Sequence, residues 1–176
     1  PQWQRFADEA DERWRLKDYR GQNANMHGCE ALIAAYEATS ETRYLDQALA
    51  IARSIIGINR KHPHGWIWEH YDQHWNPDLD YNRQDPKHLF RPWGYQVGHQ
   101  TEWAKLLVLL ARYRDDAWLI PTAERLFSSA CEAGWDRTHG GLVYGLDLDG
   151  QVCDGDKYFW VQAESLAAAA LLGART

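Results

Sequence analysis

Apolar residues in this chain fall into helix-spaced runs separated by polar and glycine-rich intervals. Tyr44, Leu45, Ala48, Leu49, Ile51, Ala52 and Ile55 form one stripe of 3.6-residue period, and Trp103, Leu106, Leu107 and Leu110 form another. Ala31, Leu32, Ala34, Ala35 and Tyr36 read in the same way, as do the run through Leu126 and Cys131 and the Ala/Leu stretch after Tyr158. The pattern predicts helices over Ala24–Thr39, Tyr44–Asn59, Val97–Tyr113, Trp118–Gly134 and Tyr158–Leu172, covering at least half of the residues. Two intervals switch to alternating aromatic and β-branched residues, which predicts β excursions over Trp66–Tyr81 and Leu142–Val152. The first is expected to fold back at Asn76-Pro77 and return through Leu79 and Tyr81. In the second, Asp149-Gly150 predicts a tight primed turn.

The helix heads repeat. Asn23-Ala24-Asn25-Met26-His27-Gly28-Cys29-Glu30 and Gly98-His99-Gln100-Thr101-Glu102-Trp103 each open an apolar helix with His-x-x-Glu, 72 residues apart (99 minus 27). Residues three apart share one side of a helical turn, so each pair is expected to stand together. A lone His-x-x-Glu is ordinarily just a helix end; its recurrence at one end of two successive units is what suggests chemistry. A third unit opens at Tyr158-Phe159-Trp160-Val161-Gln162-Ala163-Glu164. Helix, turn, helix and long loop, repeated, is the pattern of a helical array or toroid. The shared end of the units is expected to line one pocket. Imidazoles there exchange protons near neutral pH.

Residues 1–176 make a chain of the size of one domain, with room for a substantial core. A net charge of -6 and a pI near 5.7 argue against nucleic acid as a partner. No run is long and apolar enough for a membrane span, and no signal peptide is visible. Cys29, Cys131 and Cys153 are odd in number and widely spaced, which predicts free thiols and a reducing, cytoplasmic setting. The mixed-sign run from Asp11 to Asp18 reads as a solvated helix face. Ten tryptophans and nine tyrosines exceed the ordinary needs of a core this size. Trp66, Trp68, Trp75 and Trp93 are expected to pack hairpins against helices and also to offer flat faces to a sugar, Trp93 as a substrate contact. His62-Pro63-His64, His70, His74 and His88 have metal-ligand spacings, but the intervening proline and tryptophans make convergence poor, so they read as solvated loop histidines and no metal is expected. No phosphate-cradling glycine loop occurs.

Several blocks resemble a known family: Glu69-His70-Tyr71-Asp72, Asp80-Tyr81-Asn82, Phe90-Arg91-Pro92, Gly98-His99-x-x-Glu102-Trp103 and Trp160-Val161-Gln162-Ala163-Glu164. From about Asn23 to the C-terminus the chain resembles the N-acylglucosamine 2-epimerase superfamily, and within it the aldose–ketose isomerase branch of mannose isomerase-like enzymes. The resemblance implies an all-α-dominated (α/α)6 barrel. About six helical segments make roughly half of such a toroid, with short β-hairpins between helix pairs. It further implies a monosaccharide substrate and no cofactor. Proton transfer would run through an enediol, with His99 as an acid–base group, and Glu102 touching substrate or tuning its histidine. His27, with Asn23 one turn earlier, would serve ring opening or hydroxyl binding. Arg91 would hold hydroxyls or an enediolate, and Gln162 would bind substrate at the third helix mouth. The family's second catalytic histidine lies in a further C-terminal unit, whereas Ser165–Thr176 contains none, and the chain begins at Pro1. It therefore reads as the central part of a longer enzyme, whose remaining barrel segments would be its partners. Self-association into a homo-oligomer is left open. A 2-epimerase is the alternative within the superfamily. A glycoside hydrolase or sugar-binding module is the alternative outside it, and would draw its carboxylates from Glu69, Asp72, Asp80 and Asp85.

Overall fold

The computed structural model describes residues 4–175. In chain order they form β1 (Arg20–Gly21), α1 (Gln22–Thr39), α2 (Thr42–Asn59), β2 (His70–Tyr71), β3 (Tyr95–Gln96), α3 (Val97–Leu110), α4 (Leu119–Gly134), β4 (Gly145–Leu146), β5 (Val152–Asp154) and α5 (Phe159–Gly173). The five helices are where the 3.6-residue pattern puts them. They occupy 81 positions, a little under half of the 176, because the interval from 60 to 94 holds two strand residues and otherwise turns and loop. That falls just short of the helical share expected, and five helices stand where about six were counted.

The helices form two layers. The inner row is α1, α3 and α5, with α3 central; α2 packs on α1 and α4 on α3. Burial follows from those positions. All but two residues of α3 are buried: its second half is apolar nearly all round, and the buried polar groups Gln100, Thr101, Glu102 and Lys105 belong to its first turns. In α2 the stripe Leu45, Ala48, Ile51, Ala52, Ile55 and Ile56 is buried and the opposite face is charged. Gly98 permits the tightest inner contact: a Cβ there would lie 2.4 Å from Trp160 Cζ3.

The β excursions stitch the helix heads together. β1 pairs antiparallel with β2, Arg20 opposite Tyr71 and Gly21 opposite His70. β3, β4 and β5 form a second antiparallel sheet. The first N–H of α1, on Gln22, donates to the Glu69 carbonyl, and that of α3, on Val97, donates to the Tyr144 carbonyl. Backbone groups that these helices leave open are thus closed by the excursion that follows each helix pair, which fixes the helix heads relative to one another.

Four sequence expectations change. The first excursion is not a self-paired hairpin: β2 takes β1 as its partner, a single bridge joins Tyr71 to Pro77, and Leu79–Tyr81 lies in a turn. The second is a hairpin, but its turn is not a two-residue primed one. Gly150 alone has positive φ (78°) while Asp149 does not, and Asp147 N–H bonds the Gln151 carbonyl, which makes a longer loop ending in a left-handed glycine. The run from Asp11 to Asp18 is solvated but not helical. Asp11 accepts backbone N–H bonds from Arg13 and Arg15 and closes a turn around Trp14, whose φ is +59°. An Asp side chain that captures local N–H groups competes with the helix. The histidines also differ from a solvated set: His70 is buried and His64 stacks on Trp66 at 4.4 Å.

Candidate active site

The helix heads surround a cleft of about 430 Å³. Asn23, His27 and Glu30 reach it from α1, His99 and Glu102 from α3, and Trp160 and Glu164 from α5. Between them stand Glu69, His70, Phe90, Arg91, Gln96 and Tyr144 from the excursions, and Tyr19 from the segment before β1. Five of the seven residues expected from sequence, His27, Asn23, Arg91, His99 and Glu102, therefore share one concavity. Trp93 and Gln162 do not line it. The Trp93 indole N–H donates to the Leu79 carbonyl beneath the excursion. Gln162 accepts from Leu142 N–H and donates to Leu142 C=O, clasping the second hairpin to α5. The tryptophan of the cleft is Trp160, whose ring lies 5.1 Å from that of His99.

The His-x-x-Glu pairs do not pair as their spacing suggests. His99 Nδ1 lies 2.9 Å from Glu69 Oε2, a carboxylate 30 residues away, and not on Glu102. Both groups are largely buried. A relay of amides and rings holds Glu69. The Trp103 indole N–H donates to Gln22 Oε1 at 2.6 Å, which fixes the orientation of that amide and aims its NH2 at Glu69 Oε2, 2.8 Å away. The same NH2 lies 2.9 Å from His99 Nδ1, but the Glu69 carboxylate can only accept, so Nδ1 carries the proton and donates to Glu69. Its Nε2 has no protein partner among the described residues. Sequence reasoning named Glu69 only in a family-like block and as a carboxylate for the hydrolase alternative, not as the partner of His99, and it did not single out Gln22. The signal available was the Glu69-His70 dipeptide in the excursion.

This pairing sets the basicity of His99. Burial opposes the imidazolium, but the Glu69 charge and hydrogen bond, with Glu102 behind them, raise its pKa above the ordinary histidine value. His70 goes the other way. Burial lowers its pKa, and it is held structurally, Nε2 on the Pro92 carbonyl at 2.8 Å and Nδ1 on the Tyr19 hydroxyl at 3.0 Å.

On the other wall His27 stands between two carboxylates, 3.5 Å from Glu30 and 3.7 Å from Glu102. Burial raises the Glu102 carboxyl; the His99 charge opposes this and the Glu164 charge adds to it. Lys105 lies beneath, its Nζ 3.0 Å from Glu30 and 2.5 Å from Glu164, so two of the three acids here share one positive charge from α3. Ligand atoms of His27, Glu30 and Glu102 all lie within 4.8 Å of one another, a set that could hold a divalent cation, although Lys105 already supplies a positive charge to Glu30. Arg91 sits at the rim, its guanidinium 4.0 Å over the Tyr19 ring, donating to Tyr81 and paired with Glu9.

A buried carboxylate–imidazole pair facing a polar cleft at the common end of stacked helix pairs can hold and move a proton there. All 176 residues match the N-acylglucosamine 2-epimerase (GlcNAc 2-epimerase) family model, and the chain belongs to that family. It is 53% identical over 169 residues to a D-mannose isomerase of Marinomonas mediterranea, covering 95% of this chain and 43% of that protein. It is 40% identical to a D-mannose isomerase of Thermobifida fusca, covering 98% and 43%. A crystal structure of a D-mannose isomerase superposes with a TM-score of 0.96 at 51% identity, over 98% of this chain and 45% of the other. A cellobiose 2-epimerase from Bacillus thermoamylovorans shares the fold at TM-score 0.77 and 16% identity. The chain thus has the fold of part of an (α/α)6 toroid, and spans less than half the length of the relatives it matches.

Proposed function

We propose that the protein containing this chain is an aldose–ketose isomerase acting on a free monosaccharide of the mannose–fructose kind. The observation that carries the reading is the Glu69–His99 pair, which leaves a basic Nε2 at the cleft. With the sugar open, Nε2 takes the proton from C2. The electron pair forms a C1–C2 double bond, and the C1 carbonyl oxygen gains a proton, giving the enediol. A proton then returns to C1 while the C2 hydroxyl loses its own, leaving the ketose. Glu102, whose carboxyl burial pushes above the usual carboxylate range, is suited to proton exchange with the sugar oxygens. His27 and Asn23 are placed for hydroxyl contacts or ring opening, and Arg91 for an oxyanion. The relatives named as D-mannose isomerases support this substrate class.

The runner-up is a 2-epimerase, in which the proton returns to C2 on the opposite face. The hydrolase reading loses ground because Asp72, Asp80 and Asp85 lie outside the cleft lining, where Asp72 is bound up with Asn76 and Asp80 with Arg83. Among the described residues no helix is long and apolar enough to cross a membrane, and the three cysteines are free. The thiols support a cytoplasmic setting. The rest of the barrel is the expected partner, and a homo-oligomer of complete barrels stays compatible with the reading. The test is the full-length protein with mannose, lyxose and fructose in D2O. Ketose formation with deuterium entering C1 or C2 is expected. Exchange at C2 with an epimer and no ketose would establish the epimerase instead. Glycoside cleavage without exchange on any free sugar would refute both.

A further inference from the structure

A second concavity, of about 500 Å³, lies in the outer layer between α2 and α4. It is lined by Arg53, Ile56, Gly57, Arg60, Trp118, Thr122 and Arg125. We propose that it is a binding site for the phosphoryl group of a small phosphate monoester.

Charge supports this first. Three guanidiniums converge on the groove, and the carboxylate paired with them is Asp116, on Arg53. The local balance is +2 (three arginines less one aspartate), on a chain of net charge -6. A phosphate monoester carries about -1.5 to -2 at pH 7, which matches. Arg60 meets no carboxylate among the described residues. Arg125 has its pKa lowered by burial and then by the positive charge of Arg60, so the two cations stand close enough to repel. Paired arginines held without counter-charge are disfavoured until an anion joins them.

Position supports it next. Arg125 is anchored, its Nη1 donating to the Gly65 carbonyl at 2.9 Å, and Arg53 is held over the Trp118 ring at 5.5 Å. Guanidiniums fixed in this way lose little freedom on binding, and their planar forks suit tetrahedral oxyanions. Thr122 adds a hydroxyl at the same wall, and the indole of Trp118 offers a flat apolar face to the body of the ester.

The third observation is Gly57. It sits within α2, where glycine costs about 1 kcal/mol relative to alanine. A Cβ there would meet nothing within 4 Å, so neither packing nor a close backbone approach calls for glycine. What its missing side chain does is keep the groove open between Arg53 and Arg60.

Titration calorimetry and thermal melts would use the full-length protein with inorganic phosphate and glycerol 3-phosphate. Potassium chloride at matched ionic strength and citrate serve as controls. Saturable binding of the phosphates, with a rise in Tm that chloride does not give, is expected. Arg60→Gln and Arg125→Gln should each weaken it about tenfold or more, as loss of a charge-assisted bond does. Both side chains are exposed, so folding should survive. Gly57→Leu gives an independent reading. It should raise Tm without ligand by restoring helix propensity, yet abolish phosphate binding by filling the groove. A response equal in chloride, equal binding of citrate, binding only to phosphatidic acid vesicles, or phosphate affinity unchanged in all three variants would each overturn the proposal.

Discussion

Replacing Glu69 by Gln removes one charge from the candidate dyad and keeps its shape. In the native structure Glu69 Oε2 lies 2.9 Å from His99 Nδ1, and its residue is 5% exposed. At a charge separation of about 4 Å and an effective dielectric of about 20, the attraction for an imidazolium is about 4 kcal/mol, an upper bound. Burial of His99 returns part of this, since it disfavours the same charge. Removing the Glu69 charge should therefore lower the His99 pKa. His99 must be neutral to accept the C2 proton, so activity rises as pH climbs through its pKa. The acid limb of the kcat/KM profile should therefore move to lower pH. The plateau should fall as well. A glutamine NH2 facing Nδ1 would place the ring proton on Nε2, the nitrogen that needs to be bare, and loss of a properly poised base costs about 10² to 10⁴ in rate. The assay is the mannose-to-fructose rate of the full-length protein across pH, with thermal melts as the folding control. An acid limb that does not move, with a plateau near that of the wild type, would refute the assignment of Glu69 and His99 as a unit.

His99→Asn should lower turnover by about 10² to 10⁴ in the same assay. It should also destabilise the fold by about 1–3 kcal/mol in denaturant melts, because Glu69 is left buried with one partner fewer. Gly98→Ala should cost about 1–3 kcal/mol by overpacking, read as a lower Tm, since its Cβ would strike the Trp160 ring at 2.4 Å; an unchanged Tm would mean that α3 and α5 are more loosely docked than described. The raised pKa of His99 also sets a stability trend. A group whose folded pKa lies above its unfolded value, near 6.5, contributes fully below that value and loses the contribution as pH rises through the folded pKa. The wild type should lose that increment across neutral pH, and Glu69→Gln should lose less.

The helices and the shared pocket were legible because 3.6-residue periodicity and the placement of His27 and His99 at helix heads are local signals. The actual partners were not. The His99–Glu69 bond spans 30 residues and the Gln22 contact to His99 spans 77. No spacing rule reports on such separations, so the i,i+3 rule offered Glu102 in place of Glu69. For His27 the rule did better, since Glu30 does stand 3.5 Å away. Trp93 and Gln162 illustrate a different limit. Both belong to blocks that border the cleft, yet each spends its polar atoms on a backbone group one layer beneath, and composition cannot tell a lining residue from the one supporting it. The β excursions were visible as alternation, but strand choice was not. His70–Tyr71 is too short to specify its own partner, and the β1 edge beside α1 captured it.

That dyad is divided between successive helix pairs: its acid arrives on the excursion that follows α2, its base on the head of α3, and the tie between them, Gln22, on the head of α1. The exposed turns around Arg83–Asp85 lie between the two contributions. A backbone cut there would leave Glu69 with Gln22 on one piece and His99 with Trp103 on the other, each incomplete. Turnover would then become a reporter of reassembly. Two separately expressed pieces of the full-length protein should be silent alone and recover activity on mixing, with a concentration dependence that measures how firmly neighbouring helix pairs dock.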